Sequence, residues 1–279
     1  MPHHVATRHI RRAIISLSLL TVIGGCGHGG NTSAFDRRDP NGRTYYIDGA
    51  GNWGFGVHEV VAGLRRAGYQ GNIINYRWSL TLNPALDHTL GRGGARASGQ
   101  SLAAEITRYR KQHPDTAVHL IALSAGTGVA VWACEALPAS QPVDNVILLG
   151  SSLSSDYALD DAMKNIRGGL WVYHSWKDAI LQGPVRWLGT IDGELGGESA
   201  GLVGIRRPQQ HRDRVHNVEW SERYARYGWN GGHVDSIAQP FVQHVLAQHI
   251  LTTSTEQVAG ATPAEPQPRR SDHILSQGR

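Results

Sequence analysis

Short apolar runs alternate along the chain with longer amphipathic or small-residue runs. The short runs, 44–48, 72–77, 117–123, 143–149, 169–174 and 214–219, have the length of strands, and 117–123 and 169–174 the apolar composition of buried ones. The longer runs, 54–67, 97–112, 125–137, 156–166 and 234–250, have the length of helices. Strands joined through helical crossovers pair in parallel. The pattern therefore predicts an α/β fold with a mostly parallel central sheet and helices on both faces. Two segments stand outside the alternation, Thr81 to Arg96 and Leu181 to Asp213. The second holds several glycines and Trp187, and reads either as a surface loop or as a cover over a site.

The two ends have a different character. His3, His4, Arg8, His9, Arg11 and Arg12 form a basic stretch ahead of the apolar Ala13 to Ile23, and Gly24-Gly25-Cys26 follow. That core of 11 residues is shorter than the about 20 needed to cross a bilayer, so 1–25 reads as an export signal peptide. Ile23-Gly-Gly-Cys26 resembles a bacterial lipobox, which implies acylation of Cys26 and a lipid anchor to a membrane of the cell envelope. An ordinary cleaved signal with an incidental cysteine is the alternative. Residues 26–43 are polar and glycine-rich, as a flexible tether would be. Residues 44–250 suit one domain, and 251–279, with Pro263, Pro266 and Pro268, suit a disordered C-terminal tail.

Removing the signal changes the meaning of the charge. The formal +4 includes Arg8, Arg11 and Arg12, so the exported chain carries only about +1. With no run of basic residues interleaved with aromatics, no nucleic-acid partner is expected. Of the two cysteines, Cys26 belongs to the signal and Cys134 falls in a helix, which leaves no intramolecular disulfide. The 15 histidines form no H-E-x-x-H pattern and have no zinc-ribbon cysteines, so no metal is expected.

The chemistry concentrates at three junctions. Ala122-Leu123-Ser124-Ala125-Gly126 places a serine between the strand run 117–123 and a small-residue helix run. A serine on such a turn projects its hydroxyl from the backbone, and small residues two before and two after let the turn close. Capping of the helix is the other reading of Ser124. Asp178 follows the strand run 169–174, with Asp156 after the preceding strand as a reserve, and His233 ends the glycine-rich stretch Gly228-Trp-Asn-Gly-Gly-His233. A serine nucleophile needs a base to take its proton and a carboxylate to orient the base.

In the order Ser124, Asp178, His233, the chain resembles the α/β-hydrolase superfamily over roughly Thr44 to Ile250. The departure from G-x-S-x-G is Ala122 at the first position. The resemblance implies an α/β-hydrolase fold and a serine hydrolase without cofactor, cleaving a carboxylic ester or related acyl bond of a small-molecule substrate. It further implies an oxyanion hole from the amides of Ala50, with Gly49 or Gly51 as neighbours, and Ala125. Asp48 stands where many relatives have histidine, and reads as a solvated or hydrogen-bonded structural carboxylate. Trp53 and Trp78 are candidates for an apolar acyl pocket or for the core.

The same loop supports a rival. Gly49-Ala50-Gly51-Asn52-Trp53-Gly54 spells G-x-G-x-x-G after a strand, the fingerprint of a dinucleotide-binding oxidoreductase. That reading wants an acidic residue about 20 positions on, and the strand run ending at Arg77 lacks one. A hydrolase-like envelope protein that binds without turnover is the non-enzyme alternative.

Overall fold

A computed structural model of the protein describes residues 37–79, 83, 87, 92–206 and 210–251. Six strands form one sheet: β1 (Arg43–Ile47), β2 (Asn72–Tyr76), β3 (Val118–Leu123), β4 (Asn145–Leu149), β5 (Leu170–His174) and β6 (Val215–Glu219). Their order is β2-β1-β3-β4-β5-β6, and every neighbouring pair is parallel. All strand C-termini therefore lie along one edge. The chain moves outward from β1 to β2, then returns past β1 to β3 and continues the other way. The reversal leaves a crevice between the ends of β1 and β3, where open α/β sheets bind ligands.

Side-chain alternation builds two cores. Tyr45, Ile47, Leu120, Ala122, Val146, Leu148 and Val172 face α2 (Arg92–Gln112) and α3 (Gly126–Ala136). Tyr46, Ile121, Leu123, Ile147, Leu149 and Tyr173 face α1 (Val57–Arg66) and the C-terminal helical segment Gln239–Phe241 and Val242–Leu246. A strand buried on both faces has no polar side to show, which is why β3 and β4 read as unbroken apolar runs. Each such aliphatic side chain contributes roughly 1.5–3 kcal/mol by leaving water.

The helix expected over 97–112 begins earlier, at Arg92, inside the segment 81–96 that stood outside the alternation. Three further boundaries shift, each for a local reason. The last helix begins at Gln239, not residue 234: Pro240 lies in its first turn, and Ala238 is extended at ψ 132°. A proline inside a longer helix would clash with the carbonyl four residues back. Only a 3-10 turn, Asp235–Ile237, precedes it. The helix expected over 156–166 shrinks to α4 (Asp160–Met163), because both flanks are drawn into sheet-like pairing, Ser154 with Ser199 and Ile166 with Val143. The folded unit also starts before Thr44. Asp39 is buried and takes hydrogen bonds from Arg43 Nη2 at 2.7 Å and Asn72 Nδ2 at 3.0 Å, so 39–43 belong to the domain and not to a tether. Residues 1–25, read as a signal peptide, Cys26 and the stretch 252–279 of the expected tail lie outside the described residues.

Candidate active site

Ser124 leaves β3 at the crevice. Its φ is +53°, and Asn52 is the only other non-glycine residue with positive φ among the described residues. A left-handed conformation costs a residue with a Cβ roughly 1–2 kcal/mol, so the turn is held by its surroundings. The Ser124 N–H donates to Leu149 O at 2.9 Å, and its carbonyl accepts from Thr127 N at 3.0 Å and from Thr127 Oγ1. Gly126 is required by space: a Cβ there would stand 2.4 Å from Asp48 O and 2.6 Å from Ile47 O. The helix after the turn thus presses directly on the end of β1. Ala122 is buried among core side chains, so its methyl group is accommodated where the sequence pattern departs from glycine.

Asp178 and His233 meet across 55 residues. His233 Nδ1 lies 2.7 Å from Asp178 Oδ2, with both side chains nearly enclosed. Asp178 Oδ1 accepts from the N–H groups of Ile180 at 3.1 Å and Leu181 at 3.0 Å, which offset the burial of a carboxylate. An imidazole donating from Nδ1 leaves its Nε2 lone pair available, the state a general base needs.

Two devices carry His233 to this place. Trp229 is buried against Tyr173, Tyr224 and Phe241 and anchors the loop four residues earlier. Gly231, at φ +96°, crosses the β5 exit so closely that a Cβ would meet Ser175 Oγ at 2.9 Å and Lys177 Cδ at 3.0 Å. The imidazole then lies over Gly150, next to the carbonyl that receives Ser124 N: a Cβ on Gly150 would sit 3.1 Å from His233 Nδ1 and 3.3 Å from Asp178 Oδ2. Ser124, Asp178 and His233 therefore share one corner of the sheet edge, although no hydrogen bond joins Ser124 Oγ to His233 among the described residues. Asp156 does not join them. It is exposed and grips Arg206 through both oxygens at 2.7 and 2.8 Å.

The β1–α1 loop supplies the opposite wall. A Cβ on Gly49 would be 3.2 Å from Ser124 Cβ, so the loop runs against the serine. Asp48 is buried, accepts from Tyr46 OH at 2.9 Å and from Gly54 N at 2.6 Å, and holds Trp78 Nε1 on its carbonyl at 2.8 Å. Its role is hydrogen-bonded and structural. Asp87, also buried, takes the Gly51 N–H at 2.7 Å. Among the described residues the amides of Ala50 and Ala125 donate to no acceptor. Trp78 is core, whereas Trp53 is 59% exposed.

Sequence reasoning missed two supporting residues and the course of one segment. Asp87 lies 36 positions from Gly51 in a segment with no periodic pattern, and nothing local marks it. Lys177 stacks its ammonium 3.6 Å from the centroid of Trp220, whose Nε1 donates to Trp229 O at 2.9 Å. With its stem against Gly231, Lys177 ties the loop of Asp178 to the loop of His233. The hint was its place between Trp176 and Asp178. The segment after β5 is sewn to the β4 exit by Ile191 N to Ser152 O, Ala200 N to Leu153 O and Gly201 N to Ser151 O, at 2.8–2.9 Å. That stretch is a fixed strap beside the site. Cys134 is buried and its thiol pKa is pushed up by desolvation, as fits a core residue.

No model of a known family matches the chain, and no curated protein matches it significantly.

Proposed function

We propose that the protein is a serine hydrolase of the α/β-hydrolase type, acting on a carboxylic ester or related acyl bond. The observation that carries the reading is the enclosed Asp178–His233 pair, 2.7 Å apart, at the corner where Ser124 stands in a left-handed turn. Strain is retained only where the surroundings enforce it, and such residues cluster at reacting sites.

In this reading Ser124 Oγ attacks the substrate carbonyl while His233 Nε2 takes its proton. Asp178 holds the imidazole in the Nδ1–H form and offsets the charge it gains. The amides of Ala50 and Ala125 receive the oxyanion; their lack of acceptors among the described residues supports this role. The proton on His233 then passes to the leaving group, and water, deprotonated by the same nitrogen, releases the acid from Ser124.

The loop chemistry counts against the dinucleotide alternative. Carboxylates occupy two amides that a pyrophosphate would need, Asp87 on Gly51 N and Asp48 on Gly54 N. Two buried acids there repel a diphosphate. Export through the signal and attachment through acylated Cys26 complete the proposal, on the sequence of the first 26 residues.

The test is labelling by a fluorophosphonate, which reacts only with an activated serine. The wild-type chain should label at Ser124 and hydrolyse an acyl ester, and Ser124→Ala should do neither while keeping its melting temperature. Equal labelling of the variant would refute the assignment.

A further inference from the structure

The segments that lead into β3, β4 and β5 meet at the N-terminal edge of the sheet, the end opposite Ser124. They form a half-open cavity of about 230 Å³, lined by Arg110 and Lys111 in the last turn of α2, Pro114, Ser140, Gln141 and Arg167. A single water needs only about 10–15 Å³ of such space, so the cavity admits a molecule of several heavy atoms. Three of its six lining residues are cations and none is a carboxylate.

The charge does not balance. Asp144 is the one carboxylate that pairs with these cations among the described residues, and it is shared: Oδ2 accepts from Arg110 Nη2 at 2.7 Å and Oδ1 from Arg167 Nη1 at 3.1 Å. Lys111 has no ion-pair or hydrogen-bond partner among the described residues. Of the nearby acids, Asp115 is exposed and Glu105 lies toward Arg43 at 3.9 Å. Three positive charges less one negative leave a surplus of two around the cavity. The helix dipole of α2 favours cations in its last turn, but Arg167 comes from another segment and Arg110 is buried.

Arg110 also has a donor to spare. Its Nη1 donates to Pro114 O and Thr116 O, and its Nη2 to Pro142 O and Asp144, whereas the enclosed Nε has no acceptor. A buried guanidinium N–H left unpaired is unfavourable, and an oxyanion is its strongest partner. Ser140 Oγ and the Gln141 amide add neutral donors to the lining. Gln141 Oε1 is itself enclosed without a partner, and the same amide, turned about its last bond, presents its NH2 in place of the oxygen.

We propose that this cavity binds a phosphate dianion, as inorganic phosphate or as the head of a phosphomonoester, held by Arg110, Lys111 and Arg167. Two negative charges match the surplus on the walls, and tetrahedral oxygens suit donors that converge from three segments. The site goes beyond the hydrolase reading and is separate from it, because the length of β3 lies between the cavity and Ser124.

Isothermal titration calorimetry of the full chain with inorganic phosphate, at ionic strength held constant with chloride, provides the test. Saturable binding of one phosphate should appear with Kd of about 1 mM or tighter. Lys111→Gln/Arg167→Gln, which keeps the Arg110–Asp144 pair, should weaken it about tenfold or more. Ser140→Asp, which leaves every ion pair intact, should do the same by repulsion. Arg186→Gln/Arg226→Gln removes as much charge from exposed positions elsewhere and should bind like wild type. Absence of saturable binding overturns the proposal, as does an unchanged Kd in both cavity variants, or acetate binding as tightly as phosphate. Monomeric dihexanoylphosphatidic acid identifies the source: tighter binding than phosphate assigns the cavity to a lipid headgroup, and weaker binding to soluble phosphate. Ser124→Ala should bind phosphate like wild type, so labelling by fluorophosphonate and phosphate binding can fail separately.

Discussion

The two edges of the sheet each bury an aspartate, and they use it in opposite ways. At the N-terminal edge Asp144 accepts from Arg110 Nη2 at 2.7 Å, Arg167 Nη1 at 3.1 Å and Val118 N at 2.7 Å. At the C-terminal edge Asp178 accepts from two backbone amides and from His233. Arginine keeps its proton at any physiological pH, so the first cluster is a permanent ionic joint between α2, β3 and the turn before β5. Histidine exchanges its proton near neutrality and keeps a second ring nitrogen for other work. The difference between a fastening and a site therefore lies in the partner and not in the acid.

The comparison breaks most sharply at Asp178. Asp178→Asn should lower kcat by ~10⁴-fold, because an amide can present its NH2 to the imidazole and favour the wrong tautomer. Its denaturation midpoint should change little beside that loss. Asp156→Asn, which removes only an exposed pair with Arg206, should keep kcat within about twofold. A crippled Asp156→Asn beside an active Asp178→Asn would reverse the assignment of the acid.

Asp144→Ala should do the reverse. It strands the nearly buried Arg110 guanidinium, whose pKa is already lowered by desolvation. Removing one member of a buried pair costs about 3–5 kcal/mol, which urea denaturation should register. If the domain folds at low temperature, turnover per folded molecule should stay near wild type. A loss of stability under about 1 kcal/mol would mean that water reaches the cluster and compensates the charge.

Two histidines sharpen the contrast through pH. His119, on β3, is fully buried with neither ring nitrogen hydrogen-bonded, and burial pushes its pKa down from 6.5 to about 4. His249 is lowered to about 4 by burial and by neighbouring His216. As pH falls below 6.5 the unfolded chain takes up these protons first. The stability they contribute is complete above that pH and is lost progressively down to about 4. Protonating His119 in the fold costs on the order of 3 kcal/mol. His119→Leu should flatten the fall in unfolding free energy between pH 6.5 and 4, and an unchanged slope would show that His119 does not drive it.

The smallest effect concerns the tie between the two loops of the site. Lys177→Met removes the ammonium over Trp220 but keeps most of the stem against Gly231. With His233 less firmly placed, kcat should fall about tenfold at unchanged KM. Lys177→Arg, which retains a cation over the ring, should recover most of it. A fall in both variants alike would point to packing in place of the cation–aromatic contact.

Much of the fold was legible because it is local. The central strands β3, β4 and β5 announced themselves as apolar runs, and the Ser124 turn by small residues on either side, since backbone sterics act over a few positions. The final helix misled for the same reason: the apolar spacing continued through Val234 while Pro240 silently moved the start. The order of Ser124, Asp178 and His233, and their places after strands or in a glycine-rich loop, were determined by sequence alone. Only the tertiary structure decided that Asp178, not Asp156, meets His233, that Asp87 braces Gly51, and that Lys177 spans two loops. Those pairings join residues 36 to 55 positions apart. At such separations, strand order and loop approach set the distances, and no pattern of neighbouring residues encodes them.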